Sequence, residues 1–186
     1  KIIVEHNRDF SRSERVEVLR KLAQTAKHAT PDQILGLAKD TNVNAFQRRV
    51  WKDVSDQLTN VIQDGSQNGT SLDAETLAQV LWATGTLRTK SDIQNSALTS
   101  LKPFVDGSHV SIFNENCKSD DVIKAVWGLA RLRGENAQPL LEGNLSKTAG
   151  KLVPEMNPAE LSKVAWAFAS ARAGSNVLNS VGDSIV

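Results

Sequence analysis

The chain is 186 residues long and 40% hydrophobic, enough apolar material for a continuous core and too much for a disordered chain. Its 22 Lys and Arg nearly cancel 21 Asp and Glu, leaving a formal charge of +1, so no global field draws it to nucleic acid or acidic membrane and any basic function must come from local patches. A lone cysteine, Cys117, excludes an internal disulfide framework and the thiolate pairs of structural zinc sites, and no run of about 18 apolar residues is present to span a bilayer.

The sequence begins at Lys1 without an initiator Met and stops at Val186 inside a helix-like pattern. It is therefore expected to be a piece of something longer, with a removed targeting peptide as one explanation. Ile2-Ile3-Val4 is expected to be a tail packed on the rest rather than a strand. Ser11-Arg12-Ser13-Glu14 is a capping-box pattern ahead of Val18, Leu19, Leu22, Ala23 and Ala26, and it suits the second helix of a repeat whose first half lies upstream.

Thr30-Pro31-Asp32-Gln33 repeats that punctuation, with Pro at the first helical position. It opens Gln33-Ile34-Leu35-Gly36-Leu37-Ala38-Lys39, followed by Phe46, Val50, Val54, Leu58 and Val61 at helical spacing. A polar connection, Asp64-Gly65-Ser66-Gln67-Asn68-Gly69-Thr70-Ser71, carries the Gly and Asn of turns.

Three segments then align without gaps: Thr76-Leu77-Ala78-Gln79-Val80-Leu81-Trp82-Ala83-Thr84-Gly85-Thr86-Leu87-Arg88, Asp121-Val122-Ile123-Lys124-Ala125-Val126-Trp127-Gly128-Leu129-Ala130-Arg131-Leu132-Arg133, and Glu160-Leu161-Ser162-Lys163-Val164-Ala165-Trp166-Ala167-Phe168-Ala169-Ser170-Ala171-Arg172. Asp73 and Ser119 are expected caps for the first two, and Asn157-Pro158-Ala159-Glu160 caps the third. Each is followed by a second amphipathic stretch: Ile93, Ala97, Leu98, Leu101; Leu141, Leu145, Ala149, Leu152; Val177, Leu178, Val181, Ile185. A second polar connection runs from Val105 to Lys118.

One hairpin of this size cannot bury two apolar faces, so neighbours must stack. The expected fold is all-α, an α-solenoid (α-α superhelix) of about four degenerate helical-hairpin repeats. Residues 1–29 form a tail and capping helix or half-repeat, 30–72 a divergent first repeat, 73–117 a second with a long loop, 118–156 a third, and 157–186 a truncated fourth.

Projected at 100° per residue, the last copy places Leu161, Val164, Ala165 and Phe168 on one face and Trp166, Ala169 and Ala173 on another. Trp82, Trp127 and Trp166 are accordingly expected to wedge between repeats, base stacking being the alternative. The leftover stripe is Thr76, Gln79, Ala83 and Thr86, then Asp121, Lys124, Gly128 and Arg131, then Glu160, Lys163, Ala167 and Ser170. It varies as a reader of successive bases requires, and as any solvated face also does. Arg88, Arg131, Arg133 and Arg172 close these helices, where a cation suits the dipole and reaches phosphate.

Trp51 sits among Arg48, Arg49 and Lys52, the most basic and aromatic spot of the chain, where a half-buried indole passing its charged neighbours is the simpler expectation. His6, His28 and His109 are scattered, without carboxylates at metal-ligand spacing. No phosphate loop, Gly-x-Ser-x-Gly elbow or Cys-x-x-Cys occurs, and Asp106-Gly107-Ser108 and Gly134-Glu135-Asn136 have the composition of turns. No catalytic residues, metal or cofactor are expected.

The segments Leu161-Ser162-Lys163-Val164-Ala165-Trp166-Ala167-Phe168-Ala169, Val122-Ile123-Lys124-Ala125-Val126-Trp127-Gly128-Leu129-Ala130 and Thr76-Leu77-Ala78-Gln79-Val80-Leu81-Trp82-Ala83-Thr84-Gly85 resemble the octotricopeptide repeat family and the related repeats beside RAP domains, over about 31–186. The resemblance implies an α-solenoid acting in a plastid, ahead of a mitochondrion, and binding single-stranded RNA to control transcript stability, processing or translation. The alternative is a scaffold or accessory subunit of a large organellar assembly, a ribosome or photosynthetic complex, gripping protein with the same surface. No small-molecule substrate is expected, and membrane association only through partners. Candidate RNA or partner contacts are Gln79, Thr86, Arg88, Lys124, Arg131, Arg133, Lys163, Ser170, Arg172, Arg48, Arg49 and Trp51.

Overall fold

Helix starts follow the local punctuation. Ser11 precedes α1 (Arg12–Lys27) in a full capping box, its hydroxyl accepting from Glu14 N–H while the Glu14 carboxylate accepts from Ser11 N–H at 2.7 Å. The Ser11 hydroxyl also donates to that carboxylate at 2.6 Å, and this bond, together with the one from Ser11 N–H, holds the Glu14 carboxyl below its usual range. Thr30 and Gln33 do the same for α2 (Pro31–Lys39), and Asn157 and Glu160 for α9 (Pro158–Ala171). Asp73 caps α4 (Ala74–Thr86) by accepting from Thr76 N–H at 2.7 Å. Ser119 is not a cap but the first residue of α6 (Ser119–Leu132), and the Lys118 carbonyl receives the N–H groups of Asp121 and Val122.

The remaining helices are α3 (Thr41–Asp64), α5 (Ser91–Leu101), α7 (Ala137–Glu142), α8 (Asn144–Leu152) and α10 (Ser175–Ile185), with a short 3-10 turn at Val153–Glu155. The stretch carrying Leu141, Leu145 and Ala149 breaks at Gly143 into α7 and α8. This computed structural model describes residues 10–64, 73–87, 91–101, 112–114, 116–132 and 137–185; among them every long element is helical and no strand occurs. The expectations for Ile2-Ile3-Val4, His6, Arg88, His109, Arg133, both Gly turns and most of the two polar connections lie outside the described residues.

α1, α4, α6 and α9 lie side by side in one row, while α3 packs on α5 and α8 on α10 in a second. The helix beside α4 is therefore α1, expected to be a second-half helix. The weak repeat copy at 33–39 instead packs on α3 as α2, where Leu35 is 52% exposed. A nine-residue helix with a single apolar stripe buries too little to compete for the inner row, whereas α1 seals Leu19, Ala23 and Ala26 completely. Between the rows, Phe46, Val50, Val54 and Leu58 belong to the same buried cluster as Leu77, Leu81, Val122, Val126, Val164 and Phe168, each side chain contributing about 1.5–3 kcal/mol.

Two contacts set how closely the row packs. A Cβ on Gly128 would stand 2.5 Å from the Leu81 carbonyl carbon, and one on Gly85 2.8 Å from the Gly128 oxygen, so α4 and α6 touch backbone to backbone. Ala83 and Ala167 are fully buried at equivalent heights.

Candidate nucleic-acid interface

The contact of Gly85 with Gly128 leaves no room for a large side chain at that point between α4 and α6. Trp82 is half-buried and packed against the core, Trp127 is half-buried and Trp166 is 44% exposed, so the expectation that the three rings wedge between repeats is corrected for Trp166, which reaches the surface. They stand at matching positions on three adjacent helices, and the Trp127 and Trp166 ring centroids are 6.3 Å apart with planes tilted by 39°. The Arg131 guanidinium lies 4.7 Å from the Trp127 centroid, a cation over a π face. Its Nε donates to the Gly85 carbonyl on α4 at 3.1 Å.

One turn before each Trp, in the same register, stand Gln79, Lys124 and Lys163. Gln79 is half-buried and donates to the Glu75 carboxylate at 3.2 Å. Lys124 is half-buried and pairs with Asp120 at 2.5 Å, and Lys163 is exposed. Beyond Trp82, the gap between α1 and α4 opens into a polar groove of about 900 Å³ lined by Arg20, Lys27, His28, Trp82 and Lys124. The α1 cations of this groove are absent from the candidates read in the sequence, because α1 was expected elsewhere in the stack. Arg20 is held by Glu17 at 2.6 Å, and the same contact holds the Glu17 carboxyl at about 2.

The other candidates separate from this face. Thr86 is buried and donates its hydroxyl to the Trp82 carbonyl at 2.8 Å, so it supports the helix rather than a ligand. Trp51 is also buried, correcting the half-exposed indole expected: its Nε1 donates to Thr84 Oγ1 at 3.0 Å and ties the two rows together. Arg48 and Arg49 are exposed on α3, and Arg48 bridges to Asp92 of α5 at 2.8 Å. Ser170 is exposed, with its hydroxyl turned back to the Ala167 carbonyl at 3.0 Å. Arg172 is the exposed left-handed cap of α9 with φ 53°. Arg88 and Arg133 lie outside the described residues.

The polar stripe read from the sequence is likewise corrected, since Ala83, Asp121, Gly128 and Ala167 are all buried. Burial pushes the Asp121 carboxyl above its ordinary range, against the opposing pull of Lys124 and with Glu75 and Asp120 adding to the rise. The legible signal was the residue after each Trp: Ala83, Gly128 and Ala167 are small in all three copies, as a tight helix joint requires.

A second, smaller cavity of about 380 Å³ between α1, α3 and α4 is walled by Glu17, Asp53, Asp73 and Glu75. Its acids have structural partners: Asp53 holds Arg15 at 2.7 Å, Asp73 caps α4, Glu17 holds Arg20 and Glu75 faces Lys118 at 3.8 Å. Among the described residues no group of three His, Cys, Asp or Glu is arranged to hold a metal ion, and no helix is long and apolar enough to cross a membrane. No family model, curated protein or solved structure matches this chain.

Proposed function

We propose that this chain is an α-solenoid of degenerate helical hairpins that binds single-stranded RNA along the exposed face of the α1, α4, α6, α9 row, without catalysis. The observation that carries this is the run of Trp82, Trp127 and Trp166, half-buried to exposed at one register on adjacent helices, with Lys124, Arg131 and Lys163 beside them. Aromatic faces for bases combined with cations for phosphates are the two ingredients of single-strand binding. A role in organellar transcript stability, processing or translation, in a plastid ahead of a mitochondrion, rests on the octotricopeptide-type resemblance alone.

A scaffold or accessory subunit of a large organellar assembly is the second function. Two observations favour it: the net charge of +1, and the pairing of Arg20 and Lys124 with Glu17 and Asp120, which lowers the field available to phosphates. A salt-dependent titration with single-stranded RNA separates the two. An RNA-binding face gives an affinity that rises steeply as salt falls, and binding weaker than about 10⁻⁴ M at low salt would refute it.

A further inference from the structure

We propose that Trp127 and Trp166 form a clamp for one nucleobase, preferring a purine; this rests on the single-strand binding function above. The two walls differ in how they are held. Arg131, anchored to the Gly85 carbonyl of α4 at 3.1 Å, covers the α4 side of the Trp127 ring at 4.7 Å and braces it. Trp166 comes from α9, the other neighbour of α6 in the row, and is 44% exposed among the exposed small residues Ser162, Ala169 and Ser170. One ring is braced by a cation and the other is the more exposed of the two.

An inserted base needs slightly more room than the resting pair gives. Two parallel rings with a third aromatic plane between them need two layers of about 3.5 Å each, roughly 7 Å in all. The centroids stand 6.3 Å apart, tilted by 39°, a ring-on-ring contact just short of that spacing, so a base would enter by displacing the exposed Trp166 ring rather than by filling an existing gap. The stack would then run Arg131, Trp127, base, Trp166, a continuous alternation of cation and π faces. A purine covers more of both indoles than a pyrimidine and so removes more apolar area from water. Lys124 and Lys163, one turn before each ring, stand where the phosphates flanking that base can be neutralised. Trp82 lacks this arrangement, because Thr86 takes the place of Arg131 and is buried under its own helix.

The test is anisotropy titration of the intact protein with three labelled oligomers of about ten units, oligo(A), oligo(U) and an abasic ribose-phosphate chain. The clamp requires oligo(A) to bind more tightly than oligo(U), and the abasic chain most weakly. Trp166→Ala should weaken oligo(A) by about 5- to 150-fold, the cost of losing one stacked base, with abasic binding unchanged; Trp166→Phe should retain most of the affinity. If the oligomers bind but Trp166→Ala leaves oligo(A) unaffected, or abasic and oligo(A) chains bind alike, the clamp is wrong and a phosphate-binding face remains. If no oligomer binds at low salt, clamp and RNA-binding function fail together.

Discussion

Gly85 and Gly128 meet without side chains between them: a Cβ on Gly85 would lie 2.8 Å from the Gly128 carbonyl oxygen and 3.1 Å from its Cα. This joint decides which side of each helix faces water. Once α4 and α6 approach that closely, an indole has no place at the joint itself, and Trp82 and Trp127 stand beside it, half-buried.

Gly128→Ala should therefore cost about 1–3 kcal/mol through overpacking, because the new methyl would meet the Leu81 and Trp82 backbone rather than a side chain that can move. Thermal melting should drop by about 2–4 °C per kcal/mol. Gly36→Ala is the counterpart: nothing lies within 4 Å of its Cβ position on the exposed side of α2, so it should gain about 0.4–1 kcal/mol. Equal melting of both variants would show that α4 and α6 do not touch as described.

Trp51→Phe removes the indole donor to Thr84 while leaving Thr84 Oγ1 bonded to the Val80 carbonyl at 2.7 Å. The lost hydrogen bond and the small void should cost about 1–3 kcal/mol in urea unfolding. Since the ring is buried between the rows, the variant should bind oligonucleotide with parental affinity; a specific loss of binding would place Trp51 on the ligand face after all.

Gln47 is fully buried, and neither its Oε1 nor its Nε2 finds a partner among the described residues. A buried amide left unsatisfied costs about 1–3 kcal/mol. Gln47→Leu, of similar volume, should raise the urea midpoint by part of that amount with an unchanged slope. A lower midpoint would mean that the amide is bonded.

Asp121 sets a pH dependence. Burial raises its carboxyl pKa in the folded chain, so the native state holds this proton more tightly than the unfolded state. Ionising it as pH climbs above the ordinary carboxylate range costs native stability. Asp121→Asn should then be more stable than the parent at neutral pH, and the advantage should shrink toward pH values where both states of the parent are protonated. Parallel urea titrations across that window check this, and an advantage growing in acid would contradict it.

Much of the secondary structure was legible because helix signals are local. Ser11 with Glu14, Thr30 with Gln33, and Asn157 with Glu160 cap as expected, since both partners lie within one turn. The apolar spacings of Phe46, Val50 and Val54, of Ile93, Ala97 and Leu98, and of Val177 and Val181 all turn inward. The candidate face was only half legible. Gln79, Lys124, Arg131 and Lys163 stand on it, while Thr86 and Trp51 are inside, because a helix apolar on two sides offers two rotations and periodicity does not choose between them.

Composition, caps and period by themselves determined an all-α class and the places where α1, α2, α4 and α9 begin, since those depend on hydrogen bonds within four residues and on the 3.6-residue turn. The tertiary structure alone decided that α1 rather than α2 stands beside α4, that Trp166 reaches the surface while Trp51 is sealed inside, and that Trp127 and Trp166 meet. The reason is that close packing is settled between residues far apart in the chain: glycine meets glycine across two helices, and the bulk on either side goes wherever that contact leaves room.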